Sequence, residues 1–130
     1  MARRAIYSGS KFEDLAGYSR AVIDDEWVFV SGTAGFDPKT GTFPDSAEDQ
    51  THRALKTIAE ALAQADATLA DIVSLRVFLS SRDHVMPVSK VLGATFADPR
   101  PTNTTIICGF AVDEIKVEIE VVARRAGGRR

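Results

Sequence analysis

The sequence predicts an α+β fold: one mixed β-sheet with two helices packed on one face, in the order β-β-β-α-β-α-β-β. Three observations predict it. Apolar residues recur at three- and four-residue intervals in two stretches, Ala54-Leu55-Ile58-Leu62-Ala65 and Val88-Val91-Leu92-Phe96, each the single stripe of an amphipathic helix. Elsewhere the apolar residues are β-branched or aromatic and come in short runs bounded by turn residues. The clearest run is Ile115, Val117, Ile119 and Val121, alternating with Lys116, Glu118 and Glu120, a period of two that marks a half-buried strand.

In chain order, Ala5-Ile-Tyr7 suits a first edge strand, and Lys11 to Gly17 is polar, ends in glycine and reads as a loop. Ser19–Ile23 and Trp27–Ser31, separated by Asp24-Asp25-Glu26, read as a hairpin. Gly32 and Gly35 are expected to break the second strand, and Phe36–Gly41 follows as a loop with Pro38 and Gly41 in turn positions. Ser46 is placed as an N-cap, with acids at Glu48 and Asp49 in the first turn. Ile72–Leu79 follows the first helix as a strand, so a βαβ crossover with a parallel pair is expected. The second helix starts near Met86 with Pro87 in its first turn and ends before Pro99, since residues preceding proline avoid the helical region. The last two strands lie in Pro101–Phe110 and Ile115–Ala123. Two helices on one face leave the other face of a Val- and Ile-rich sheet without cover, and a patch of that kind marks an interface. The physical expectation is an oligomer.

Composition narrows the function classes. The 130 residues, 45% hydrophobic and 26% charged, suit one globular domain over 1–130, with residues 5–123 as the core. No run approaches the roughly 20 apolar residues of a membrane span, and no apolar segment follows Arg3 and Arg4, so neither a membrane nor a signal peptide is expected. A single cysteine, Cys108, fits a cytoplasmic location. Of the 16 lysines and arginines, Arg3, Arg4, Arg124, Arg125, Arg129 and Arg130 lie at the ends, so the body carries 10 against 18 acidic residues. That acidic body argues against nucleic acid as a partner, because phosphate contacts dominate such affinity. Residues 124–130 read as a solvated basic tail.

Several residue types point to no chemistry. His52 and His84 have no cysteine, histidine or acid at ligand spacing, so no metal is expected, and no glycine-rich loop matches a nucleotide fingerprint, so no cofactor is expected. Cys108 sits in an apolar run with no basic partner beside it. Glu118 and Glu120 share one face of the last strand, roughly 7 Å apart. As bare pattern they are solvent-facing carboxylates; covered by a neighbouring subunit, they become candidate acid–base groups, with Lys116, Arg20, Arg76 and Arg100 as candidate partners.

Gly17-Tyr18-Ser19, Trp27-Val-Phe-Val-Ser31-Gly32, Asp37-Pro-Lys-Thr-Gly41, Ala70-Asp-Ile-Val73 and Lys116-Val-Glu-Ile-Glu-Val-Val-Ala123 stand in the order and spacing of the Rid (YjgF/RidA) family, which the chain resembles from about residue 5 to residue 125. The resemblance implies a chorismate-mutase-like fold and a homotrimer with clefts between subunits. It also implies hydrolysis of small reactive imines or enamines, such as 2-aminoacrylate, to a keto acid and ammonia. By the same resemblance Glu118 holds or activates the water, while Tyr18, Ser31, Gly32, Asn103 and Thr105 line the cleft. The family activity uses an arginine in a Pro-x-Arg-[Ser/Thr]-x motif to clamp the substrate carboxylate; here the motif reads Pro101-Thr-Asn-Thr-Thr105, with Asn103 at the arginine position. Ser89 and Thr33 depart from the family at two further positions. The implied activity is therefore that of an arginine-lacking Rid subgroup, weak on 2-aminoacrylate. The alternatives are a non-catalytic metabolite-binding trimer and, behind it, a ribonuclease or translation inhibitor.

Overall fold

The computed structural model describes residues 3–126. Residues 127–130, which hold most of the expected basic tail, lie outside the described residues. Six strands form one sheet, in the spatial order β1-β2-β3-β6-β4-β5. β1 (Arg4–Ile6), β2 (Ala21–Asp24) and β3 (Trp27–Ala34) run as an antiparallel meander. β6 (Val117–Arg124) pairs antiparallel with both β3 and β4 (Ile72–Leu79), and β5 (Thr102–Ile107) lies parallel to β4 at the far edge. The expected mixed sheet is present, but the parallel neighbours are not those flanking the long helix. β3 and β4 run in the same direction with β6 inserted between them; the parallel pair is β4 and β5, joined through α3 (Val85–Thr95). The central position suits β6, whose inward row Val117, Ile119, Val121 and Ala123 is the most completely buried of any strand. The two runs at the end of the sequence are consequently not partners, since β4 separates them.

The long helix α2 (Ala47–Ala63) starts at Ser46, whose hydroxyl accepts from the Asp49 N–H at 3.0 Å, as the N-cap pattern requires. Its stripe of Ala54, Leu55, Ile58, Ala61 and Leu62 and the α3 residues Val88, Val91 and Leu92 form one core with the inward rows of the sheet. Small residues bring α2 close. At Gly35 a Cβ would sit 2.5 Å from the Gln50 carbonyl oxygen, so only glycine fits beneath the helix there.

Three departures from the expected elements matter for the site. Lys11–Ala16 is a helix, α1, rather than a loop, so the order is β-α-β-β-α-β-α-β-β. Ser10 caps it by accepting from the Phe12 N–H at 3.2 Å, and Gly17 ends it with a left-handed φ of 73°. Secondly, β3 does not stop at Gly32. Its pairing with β6 jumps from Val30↔Val121 to Thr33↔Ile119, one extra residue on β3, which is a β-bulge at Ser31-Gly32. Thirdly, the basic end begins later than residue 124: Arg124 closes β6, and Arg125 is tied down by its N–H to Glu26 O (2.7 Å) and its Nη1 to Ala65 O (3.2 Å).

The face of the sheet away from α2 and α3 carries Trp27 and Phe29 from β3, Glu118, Glu120 and Val122 from β6, Arg76 and Phe78 from β4 and Ile106 from β5, as the cross-strand register dictates. Phe29 is 47% exposed and Ile106 44%. The uncovered apolar face expected from the element order is present.

Candidate functional site

The Ser31-Gly32 bulge puts a bare stretch of backbone against the side chain of Glu118. A Cβ on Gly32 would meet Glu118 Oε1 at 2.5 Å, so the absence of a side chain there makes room for the carboxylate. Glu118 is half-buried, and among the described residues no hydrogen-bond donor reaches its carboxylate. Burial raises its pKa above the ordinary 4.5; the positive charge of Arg20 opposes the rise and the negative charge of Glu120 adds to it. Glu120 has a different setting: it makes an exposed ion pair with Arg76 at 3.5 Å.

Around the bulge the polar contacts are dense. The Ser31 hydroxyl donates to the Ser19 carbonyl at 2.7 Å, and the Ser31 N–H to the Arg20 carbonyl at 2.9 Å, which ties the bulge to the start of β2. Arg20 is 8% exposed. Its Nη1 donates to the Gly32 carbonyl (3.0 Å) and the Thr33 hydroxyl (2.9 Å), its Nε to Glu13 Oε2 (3.3 Å), and its guanidinium lies 5.7 Å from the centre of the Tyr18 ring. Glu13 in turn accepts from the Ser8 N–H at 3.0 Å and from the Ser8 hydroxyl.

Of the residues expected at the site, Gly32 lies against Glu118, Ser31 shares the bulge with Gly32, and Tyr18 is connected to the bulge through Arg20. Asn103 and Thr105 do not join them within one chain. Their β4 partners are Leu75 and Val77, both core residues, whereas Glu118 pairs with Phe78 on the opposite face. Asn103 and Thr105 thus project to the helix side of an edge strand, exposed, where Thr105 Oγ1 hydrogen-bonds Asn103 Oδ1 at 2.8 Å. Arg100 is exposed just before that strand. Arg20 is not free to act as a loose cation, because Glu13 and the bulge hold it.

Sequence reasoning missed Glu13 and Ser8 altogether and took Arg20 only as one of several candidate cations. The signal was present: Ser10-Lys-Phe-Glu13 is a helix-start pattern with an acid at its fourth position, closed by Gly17. It also missed Gln50, whose Nε2 donates to the carbonyls of Pro44 (2.8 Å) and Glu114 (2.9 Å) and whose Oε1 accepts from the Lys116 N–H (2.9 Å). That side chain pins the start of β6, two residues before Glu118, to α2. Among the described residues no group of three histidine, cysteine or acidic side chains is arranged to hold a metal ion, and no helix is long and apolar enough to cross a membrane.

The family model described as endoribonuclease L-PSP matches residues 8–125. A Mycobacterium tuberculosis protein described as a member of the YjgF/YER057c/UK114 family superposes with a TM-score of 0.86 at 35% identity, over 95% of this chain and 99% of that one. This chain belongs to the YjgF (endoribonuclease L-PSP) family. Among its curated YjgF relatives is "Reactive Intermediate Deaminase A, chloroplastic" of Arabidopsis thaliana, 32% identical over 110 residues, or 84% of this chain. The chain spans 59% of the length of that relative. A RutC family protein of Pyrococcus abyssi is 25% identical over 124 residues, 95% of this chain and 98% of the relative. The YjgF fold expected from the sequence is the fold observed.

Proposed function

We propose that this protein is a Rid-type deaminase that hydrolyses a small imine or enamine, in a cleft completed between the subunits of a homotrimer. The observation that carries the reading is Glu118: a half-buried carboxyl with raised pKa and no donor among the described residues, set against a glycine bulge on an uncovered apolar face. Imine hydrolysis adds water across C=N and then expels ammonia, so one group has to take a proton from water and return it to nitrogen. A carboxyl whose pKa is moved up toward the working pH suits both steps. The deaminase name of the Arabidopsis relative supports the same chemistry.

The cleft needs a second subunit because Asn103 and Thr105 face away from Glu118 of their own chain. A neighbour packed on the uncovered face brings its own edge strand β5 to Glu118, with Asn103 and Thr105 lining the far wall and Tyr18, Ser31 and Gly32 the near one. Asn103 stands where the family's clamping arginine is expected, and an amide lacks the charged fork that holds a carboxylate. Turnover of 2-aminoacrylate is therefore slow. The RNase activity suggested by the family description is disfavoured by the 10-against-18 charge balance of the chain body, which repels a polyanion.

The test is release of ammonia and carbonyl product from a panel of enzymatically generated imines and enamines. The Glu118→Ala variant is expected to lose about 10²-fold or more in rate. Unchanged rates in that variant overturn the assignment of Glu118. No turnover anywhere on the panel, with thermal stabilisation by a metabolite, identifies a binding protein instead.

A further inference from the structure

Glu13 is 3% exposed and Arg20 8% exposed, and the two meet at 3.3 Å. Taking such a pair out of water gains little stability over an apolar pair of the same volume, so its position in the fold is informative. Each end is held. Glu13 is fixed by the N–H and hydroxyl of Ser8, and Arg20 Nη1 spans the Gly32 carbonyl and the Thr33 hydroxyl. Those two acceptors are the second half of the bulge, and Gly32 is the residue whose Cα lies against the Glu118 carboxylate. The six-residue helix α1 buries a single residue, and that residue is Glu13. Its packing therefore serves this contact rather than the apolar core.

We propose that Glu13 and Arg20 are positioning residues of the Glu118 site: the pair clamps the Gly32 carbonyl and the Thr33 hydroxyl, holds the bulge against the Glu118 carboxylate, and keeps a fixed positive charge behind the bulge, on its helix side. This rests on Glu118 being the working acid–base group. Glu13 partly neutralises Arg20 and so limits how far the guanidinium draws Glu118 toward its charged form. The clamp also explains why Arg20 does not replace the missing carboxylate-binding arginine, since its Nε and Nη1 are spent on protein groups. The other charged groups near Glu118 are few. Glu120 lies two residues along β6 and is paired to Arg76 of β4, and Lys116 donates its ammonium to the Asp45 carbonyl. Phe78 across β4 and Ser31-Gly32 on β3 are neutral.

The test is a carbon-13 NMR titration of the Glu118 side-chain carboxyl, assigned through Glu118→Gln, in the wild-type protein and in Glu13→Gln, Arg20→Gln and Arg20→Lys. Glu13→Gln, which leaves Arg20 without its counter-charge, shifts the titration of Glu118 to lower pH. Arg20→Gln shifts it to higher pH, and Arg20→Lys, which keeps the charge but not the fork, leaves it nearer the wild-type position while kcat falls. Two variants that merely loosened the site would both move Glu118 toward an exposed carboxylate, in the same direction. Shifts of the same sign, or none, overturn the proposal. If Arg20→Gln does not fold, Glu13→Gln and Arg20→Lys decide it: a shift to lower pH in Glu13→Gln with Arg20→Lys near the wild-type position supports the proposal, and a shift to higher pH or none in Glu13→Gln overturns it. Turnover is scored separately: opposite shifts with an active Glu118→Ala variant would retain the clamp and reject the deaminase reading, and unmoved titrations with an inactive Glu118→Ala variant would do the reverse.

Discussion

In the proposed site Glu118 and Gly32 lie against each other, so a substitution of Gly32 is felt by the Glu118 carboxyl. A methyl group at position 32 arrives 2.5 Å from Glu118 Oε1. The atom it meets is the free end of a side chain, so the carboxyl swings aside at an off-rotamer cost of about 0.5–1.5 kcal/mol and the fold persists. Gly32→Ala is therefore expected to keep its melting temperature nearly intact and to lose about 10-fold or more in turnover, because displacing a reacting group by about 1 Å is severe. The protonation of Glu118 has a signature in stability as well. Its folded pKa lies above 4.5, chiefly through burial, so between 4.5 and the folded value the native state binds more protons than the unfolded one. Its contribution is fully present below pH 4.5 and is lost as the pH rises through the folded pKa. Glu118→Gln, which cannot ionise, should match the wild type in acid and become the more stable of the two toward neutrality. Melting curves across that range check the sign, and a wild type that gains on the variant as pH rises would refute the desolvated setting of Glu118.

At the scale of elements, the site depends on parts that contribute little to the core. α1 is six residues long, too short to hold by propensity, and it is kept by its Ser10 and Gly17 caps and by Glu13. The start of β6 is kept by Gln50 of α2. Gln50→Ala leaves the carbonyls of Pro44 and Glu114 and the Lys116 N–H without this partner, at an expected cost of about 1–3 kcal/mol in chemical denaturation. The strand pattern of 115–123, the α2 stripe and the Ser46 cap were all legible in the sequence, because the period of the apolar residues and the capping residue are local properties. α1 reads as a loop in the sequence: six residues, Lys11–Ala16, are too few to show an apolar period, and its only local signals are the Ser10–Glu13 start pattern and the Gly17 stop. The continuation of β3 through Gly32 to Ala34 was not legible: a glycine reads as a strand end until the partner strand shows that it is a bulge.

For the whole molecule the uncovered sheet face is the dominant feature. Trp27, Phe29 and Ile106 are exposed on it, Val122 is half-buried, and it is the face on which Glu118 lies. The proposed trimer predicts a light-scattering mass three times the 14.1 kDa of the chain. Phe29→Glu places a charge at the centre of that face and is expected to release folded monomers, with deamination lost along with assembly. A mass of one chain for the wild type would remove both the trimer and the composite cleft.

The sequence by itself determined the α+β class, the two core helices, the bare sheet face and the pair of carboxylates, Glu118 and Glu120, that stands on it. Each of these follows from periodicity and from counting what covers what, while the choice of Glu118 between the two came from the family resemblance. Tertiary structure decided the rest, because those facts depend on which strands become neighbours. It placed β6 between β3 and β4, so that Glu118 meets the Gly32 bulge. It turned Asn103 and Thr105 to the face opposite Glu118. It also buried Glu13 with Arg20, two charges that no local pattern distinguishes from the solvated acids and bases around them, and hydrogen-bonded Arg20 to the Gly32 carbonyl of the bulge.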